Sequence, residues 1–270
     1  VKIIEQATGW TGIGILPWFA DARFLPAEDI LDLSSKTGDT NVRGGADALH
    51  IAVPVLRRIA NFDDLDPLAA EPGVRLTLVA AGEAIPGDAD LILLPGSKAT
   101  IDDLKFLHDQ GWDIDIKAHV RRSGMVMGLC GGYQMLGTEV SDPHGIEGEA
   151  RRVAGLGLLS VETEIGQTKT LNLVTGSSQH FGTGITGYEI HMGRTNGADC
   201  GRPVMEIEGR PEGASSPDGR IIGSYVHGIF TNNDFRTAFL ADLAARRNKS
   251  VELGTVDFAG NVDAILDQLA

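Results

Sequence analysis

Between residues 49 and 129 the chain repeats one pattern: a short continuous apolar run, a break rich in glycine or proline, then residues at helical spacing. Leu49 to Leu56 (LHIAVPVL), Val74 to Val79 (VRLTLV), Asp90 to Leu94 (DLILL) and Met125 to Leu129 (MVMGL) are the apolar runs. Runs of that length without polar alternation predict strands buried on both faces, as in a parallel sheet. Thr100-Ile101-Asp102-Asp103 predicts a helix start, with Thr100 as N-cap and Asp103 in the capping-box place. Ile101, Leu104 and Leu107 continue it and Gly111 closes it. A second helix is predicted over about residues 113 to 122, stopping at Gly124.

From Ala154 to Ile222 the pattern changes to short alternating stretches such as Val204-Met205-Glu206-Ile207, separated by Gly, Asn and Pro, which predict added antiparallel strands. Asn233 or Asp234 then caps a helix whose apolar face carries Phe235, Phe239, Leu240 and Leu243, and Val262 to Leu269 predicts a last helix. Ahead of the repeated pattern, Ile13-Gly14-Ile15-Leu16-Pro17-Trp18 reads as one buried strand with a proline stop. Ser34 to Asp47 (SSKTGDTNVRGGAD) is polar and glycine-rich and reads as a linker. The predicted architecture is α/β, a mostly parallel central sheet flanked by helices with added antiparallel strands. The expected divisions are residues 1–33, a linker over 34–48, a main domain over 49–232, and C-terminal helices packed on it over 233–270.

Composition narrows the function. In 270 residues, 37 Asp and Glu outweigh 23 Lys and Arg, a formal charge of -14. This disfavours nucleic acid and anionic membranes, whose recognition needs clustered cations. No apolar run approaches the roughly 20 residues of a membrane-spanning helix, and Val1-Lys2-Ile3-Ile4-Glu5 does not resemble a secretory signal. Two cysteines, Cys130 and Cys200, rule out a disulfide framework and suit a reducing cytoplasm. They are far apart and no Cys-x-x-Cys or His-x-x-His pair exists, so no metal site is expected.

The strongest local signal is Met127-Gly128-Leu129-Cys130-Gly131-Gly132-Tyr133-Gln134. It sets a cysteine on the turn from a buried strand into a helix, between Gly128 and Gly132. This is the nucleophile-elbow pattern with cysteine in the serine place. The glycines are needed because side chains two residues either side of so sharp a turn would collide, and the helix N-terminus favours thiolate. Buried packing is the commonest fate of a lone cysteine and remains the competing reading at this stage. Cys200 has no such context.

A cysteine nucleophile needs a base. Of seven histidines, His227 follows the apolar stretch 221–226 and precedes Gly228, at a strand end where sites of open α/β sheets gather. His191 is second and His180 third. An oxyanion hole needs backbone donors: the N–H of Gly131 is one, and the turn Leu94-Pro95-Gly96-Ser97-Lys98 offers another. That turn is not a phosphate loop, because Ser97 separates Gly96 from Lys98 and Leu91 stands where the earlier glycine belongs.

These residues resemble the triad-type glutamine amidotransferases, and the combination resembles their cobyric acid synthase branch. The segments that carry the resemblance are residues 128–134, Asn61-Phe62-Asp63-Asp64-Leu65-Asp66-Pro67-Leu68, residues 94–98, Gly187-Tyr188-Glu189-Ile190-His191-Met192-Gly193 and Tyr225-Val226-His227-Gly228-Ile229-Phe230. The resemblance implies a flavodoxin-like, class I amidotransferase fold. It implies that Cys130 attacks the glutamine carboxamide and carries a γ-glutamyl thioester, with His227 protonating the departing ammonia. Gly96 and Gly131 would hold the oxyanion, Gln134 and Ser97 would bind glutamine, and Glu189 and His191 would be accessory. Residues 1–33 resemble the tail of an ATP-binding synthetase domain. That missing domain or subunit would hold ATP and Mg2+ and pass ammonia to a corrinoid acceptor, while no cofactor is expected in this chain.

Two departures qualify these expectations. Triad amidotransferases usually place a glutamate two residues after the histidine, and here Ile229 stands there, so the group that orients His227 is unidentified. No glycine-rich phosphate loop lies in the chain, which is expected to be either a fragment of a longer protein or the partner of a separate synthetase subunit. A glutaminase serving another ATP-dependent ligase, and a non-catalytic docking module of the same fold, are the alternatives. Glutaminase activity that is slow or dependent on the partner half is expected.

Overall fold

The computed structural model describes residues 1–15, 17–21, 25, 48–254 and 256–268. It divides into two compact units, residues 27–258 and residues 1–26 with 259–270. The expected linker over 34–48 lies outside the described residues except for Ala48.

The larger unit is built on a six-stranded sheet among the described residues. Its order is Ala214–Ser215, Ile221–Ser224, Met125–Leu129, Leu91–Leu94, Leu49–Pro54, Val74–Val79, and all neighbours are parallel except the first pair. The Leu49–Pro54, Leu91–Leu94 and Met125–Leu129 strands are buried at every residue. Helices on the faces remove both sides of a parallel sheet from water, so the sequence runs apolar without alternation. Helices Thr100–Asp109 and Trp112–Arg121 supply part of that cover, burying Ile101, Leu104, Leu107, Trp112 and Ile116.

The predicted capping box does not form. Ala99 is the N-cap of the Thr100–Asp109 helix and makes no side-chain cap. The Thr100 hydroxyl donates instead to Gln134 Oε1 at 2.8 Å. Asp103 accepts from the Arg58 N–H at 3.1 Å and from the Ser97 hydroxyl at 2.6 Å. Tertiary partners have claimed both side chains, so the local signature lost to longer-range bonds.

A second sheet holds the added strands. Val161–Ser178 and Thr183–Gly197 form a long antiparallel ribbon, with Met205–Ile207 on one side and Val226–His227 on the other. One pairing departs from the expected pattern: Glu139–Asp142 runs parallel to the start of the ribbon. A two-stranded piece, Ile59–Ala60 against Gly96–Ser97, ties the segment after the first strand to the turn after Leu94. Helix Asn233–Arg246 buries Phe235, Phe239, Leu240 and Leu243, with Asn232 rather than Asn233 or Asp234 at its N-cap position. Asn232 Oδ1 accepts from the backbone and hydroxyl of Thr186 instead of capping the helix.

In the smaller unit, Lys2–Thr8 is a helix with no buried residue, closed by Gly9 in the left-handed region. The expected buried strand near Ile13 is absent among the described residues. Ile13, Ile15 and Trp18 are exposed and outside any strand. A single short apolar run has no strand beside it to satisfy its backbone groups. The last helix spans Phe258–Asp267, starting earlier than the sequence pattern suggests.

Candidate active site

Three strands of the parallel sheet end at one place. Leu94 leads through Pro95 to Gly96, Leu129 leads to Cys130, and Ser224 leads through Tyr225 to His227. Convergence at the carboxyl ends of parallel strands is where open α/β sheets collect their chemistry.

Cys130 sits on the turn between Met125–Leu129 and the short helix Gly131–Leu136, with φ 49° and ψ -107°. A non-glycine residue in that region is strained and persists only when its surroundings hold it. They do so here through packing. A Cβ on Gly132 would come within 2.2 Å of Leu94 O, and one on Gly128 within 2.5 Å of the Gly132 backbone. The Cys130 N–H donates to Ser224 O at 2.8 Å and the thiol donates to Ile190 O at 3.4 Å. Behind the turn, a Cβ on Gly131 would lie 2.8 Å from Ser97 N, so the turn after Leu94 lies against the elbow.

His227 is fully buried on the two-residue strand beside the ribbon, paired with Tyr188 in register. Its ring stacks on Tyr188 with centroids 5.4 Å apart. The Nδ1–H donates to Asp64 Oδ2 at 2.6 Å, and Asp64 Oδ1 accepts from the Gly228 N–H at 2.7 Å. Burial by itself lowers the His227 pKa. The charge and hydrogen bond of Asp64, with a further contribution from Cys130, override it and raise the pKa to about 10. Nε2 is buried without a hydrogen-bond partner. Cys130 is thus near enough to act on the ring, while its thiol proton is directed to Ile190 O; such bonds are often loose before substrate binds.

Asp64 is the residue that sequence reasoning missed. It lies in the Phe62–Leu65 turn, 163 positions before His227, while Ile229 in the usual glutamate place is fully buried. A carboxylate on one imidazole nitrogen fixes the tautomer and orientation and stabilises the imidazolium. Asp64 is buried and its neighbour Asp63 half-buried, and burial followed by the Asp64 charge pushes the Asp63 pKa up to about 6. The signal in the sequence was a pair of adjacent carboxylates set between the apolar residues Phe62 and Leu65, in a segment that carries the resemblance but was given no role.

The remaining predicted residues are placed unevenly. Gly96 lies against the site: a Cβ there would be 3.2 Å from His227 Cε1. The Ser97 hydroxyl is engaged with Asp103 and the Ala99 N–H. Gln134 is buried one helical turn after Cys130, its Oε1 accepting from Thr100 and its Nε2 donating to Tyr225 Oη at 3.2 Å. Glu189 is buried in an ion pair with Arg210 and pairs in register with Val226, not with His227. His191 stacks on Tyr225 with centroids 3.9 Å apart, and burial lowers its pKa. His180 lies on the surface beside Asp242.

An open groove of about 570 Å³ on the flank of the ribbon is lined by Arg152, Glu162, Glu164 and Arg194, and neither Cys130 nor His227 lines it. Among the described residues no cluster of three His, Cys, Asp or Glu side chains could hold a metal ion. No helix among them is long and apolar enough to cross a membrane.

The chain is 54% identical over 269 residues to the cobyric acid synthase of Jannaschia sp. (strain CCS1), covering 100% of this chain and 53% of that relative. It is 54% identical over 273 residues to the cobyric acid synthase of Rhodobacter capsulatus, again covering 100% and 53%. The chain therefore spans about half the length of the curated relatives it matches. Its fold is similar to a solved structure of PurLQS from Thermotoga maritima (TM-score 0.55, 17% identity, 73% of this chain and 99% of that one). It is also similar to a crystal structure of a glutamine amidotransferase (TM-score 0.52, 16% identity, 72% and 98%). The family model for the CobB/CobQ-like glutamine amidotransferase domain matches residues 50–235, the greater part of the chain and all of the elements that meet at Cys130 and His227, and this protein belongs to that family.

Proposed function

We propose that this chain is the glutaminase half of a cobyric acid synthase, releasing ammonia for ATP-dependent amidation of peripheral carboxylates of adenosylcobyrinic acid a,c-diamide. The observation that carries the reading is the arrangement around His227: Nδ1 held by Asp64 at 2.6 Å, and Nε2 unpaired beside a cysteine on a strained elbow. His227 takes the thiol proton and the Cys130 thiolate adds to the glutamine carboxamide carbon. The oxyanion forms against the N–H groups of Gly131 and Gly96. His227 then returns its proton to the leaving nitrogen, the C–N bond breaks, and ammonia departs from a γ-glutamyl thioester. Water, giving its proton to His227, cleaves the thioester to glutamate and restores the thiol.

Gln134 and Ser97 help bind glutamine on this reading, with the Gln134 amide held by Thr100 on one side and Tyr225 on the other. Residues 49–232 form the glutaminase body on this reading, with the helix Asn233–Arg246 packed on it. Residues 1–33 are the tail of the ATP-binding half, joined by 34–48. ATP and Mg2+ belong to that half, corrinoid is the acceptor, and the location is cytoplasmic. The docking-module reading rested on the missing glutamate at Ile229, and Asp64 removes that support.

The test is glutamine hydrolysis by this chain beside a Cys130→Ala control, with and without the synthetase half. The expected outcome is ammonia release that falls by at least about 10⁴-fold in the control. Release confined to the mixture with the synthetase half would mean a partner-gated glutaminase. Equal release from both proteins, or none from either, would overturn the assignment.

A further inference from the structure

Asp64 and His227 come from distant parts of the chain, Asp64 on a short turn and His227 at the end of a two-residue strand. Asp64 belongs to Phe62–Leu65, which runs directly into the four-residue helix Asp66–Ala69 and then to Glu71. His227 is followed by the turn Ile229–Thr231 and then by the helix that carries Arg236. Neither turn is part of the parallel sheet that locks Cys130 in place.

A second bond joins the same two segments. Arg236 and Glu71 are both fully buried, and Arg236 Nε donates to Glu71 Oε1 at 2.7 Å. The same guanidinium donates through Nη1 to Phe230 O at 2.7 Å, three residues past His227, and through Nη2 to Asn233 Oδ1 at 3.0 Å and Val256 O. One planar fork thus holds the segment that follows Asp64 and the segment that follows His227. Its fixed geometry is what a lysine or an apolar side chain lacks. Meanwhile Glu71 Oε2 is buried with no hydrogen-bond partner. A buried ion pair with an unsatisfied oxygen is a poor source of stability, since an apolar pair of similar volume is often as good or better. What such a pair does supply is a defined relative position of the two elements it joins.

We infer that the Glu71–Arg236 pair is a positioning clamp for the catalytic histidine, fixing the segment 61–71 against the segment 227–236 so that Asp64 meets Nδ1 of His227. The Asp64 carboxylate bonds His227 Nδ1 and the neighbouring Gly228 N–H, so both of its bonds lie at one point along the two segments. The Glu71–Arg236 bond fixes them at a second point and removes the pivot about Asp64. This inference rests on the proposed roles of His227 and Asp64, and its test separates the two claims.

The readouts, taken on the full chain, are the pH profile of Cys130 alkylation by iodoacetamide, measured without glutamine, and kcat and KM for glutamine hydrolysis. Variants Glu71→Gln and Arg236→Lys keep size or charge but spoil the fork. The other groups facing His227, namely Asp63, His191, Tyr188 and Cys130, are untouched. A loosened Asp64 contact favours imidazolium less, so thiolate forms at higher pH. The expected result is an upward shift of the alkylation midpoint by about one unit, roughly tenfold in rate at neutral pH. The expected kcat loss is also about tenfold, with KM within about twofold. In an Asp64→Asn background the Glu71→Gln change adds no further shift, because the contact it supports is already gone.

An unchanged alkylation profile in folded variants would overturn the clamp, and so would loss of the fold in both variants, which would assign the pair to stability. A chain that hydrolyses no glutamine yet shows the shift would lose the proposed function and keep the clamp.

Discussion

In the parallel sheet every residue of Met125–Leu129 is buried, whereas on the ribbon strand Val161–Ser178 the side chains of Leu171 and Leu173 are 63% and 86% exposed. Both regions touch Cys130. The sheet holds Cys130 through a backbone bond to Ser224 and through glycines that leave no room for a Cβ. The ribbon contributes Ile190 O to the thiol and the ring of Tyr188 to His227. Rigidity and adaptability are therefore divided between the two walls of one site. The cysteine sits on the wall where a one-atom change is felt, and its surroundings on the other wall are open to solvent a few residues away.

Substitutions can break that contrast in order of expected effect. Asp64→Asn removes the charge that stabilises the imidazolium and permits the wrong tautomer, and kcat for glutamine should fall by about 10²–10⁴-fold with little change in KM. The same variant has a pH signature. The folded His227 pKa of about 10 lies above its ordinary 6.5. Its contribution to stability is therefore present in full below about 6.5 and lost as pH rises through about 10. Denaturant titrations should show the gap between the parent and Asp64→Asn narrowing over that window. A constant gap would mean the pair does not set the titration.

Leu93→Ala, at a fully buried position in the sheet, should cost about 2–5 kcal/mol in unfolding free energy. Leu173→Ser on the exposed ribbon face should change stability by no more than about 0.5 kcal/mol. A large loss at Leu173 in urea unfolding would show that the ribbon is as tightly built as the sheet.

The parts of the fold legible in the sequence are those where one physical cause acts locally. Val74–Val79 and Met125–Leu129 match their apolar runs residue for residue; Met125–Leu129 is buried at every position, and Val74–Val79, at the sheet edge, leaves only Arg75 and Thr77 half-buried. The elbow was legible because a sharp turn and two close approaches require glycines within five residues of one another. Asp64 was not, because its meaning depends on a partner far along the chain that tertiary links such as Ile59–Ala60 to Gly96–Ser97 and Glu71 to Arg236 bring near. Thr100 misled for a related reason: a threonine before a helical pattern predicts a cap until a buried glutamine competes for its hydroxyl. Glu189 carried the right chemistry to orient a histidine, and Arg210 occupies it instead.

The separation of Asp64 and Cys130 from His227 has a consequence for how the site could be divided. Between them lies the loop near Gly145, outside both long strands of the ribbon. A backbone cut there would leave Asp64, Gly96 and Cys130 on one polypeptide and His227 with Arg236 on the other. Each fragment would be inert for want of the other's groups. Turnover would return only as the two pieces found each other, which makes this arrangement a candidate scaffold for reporting encounters between proteins fused to its halves.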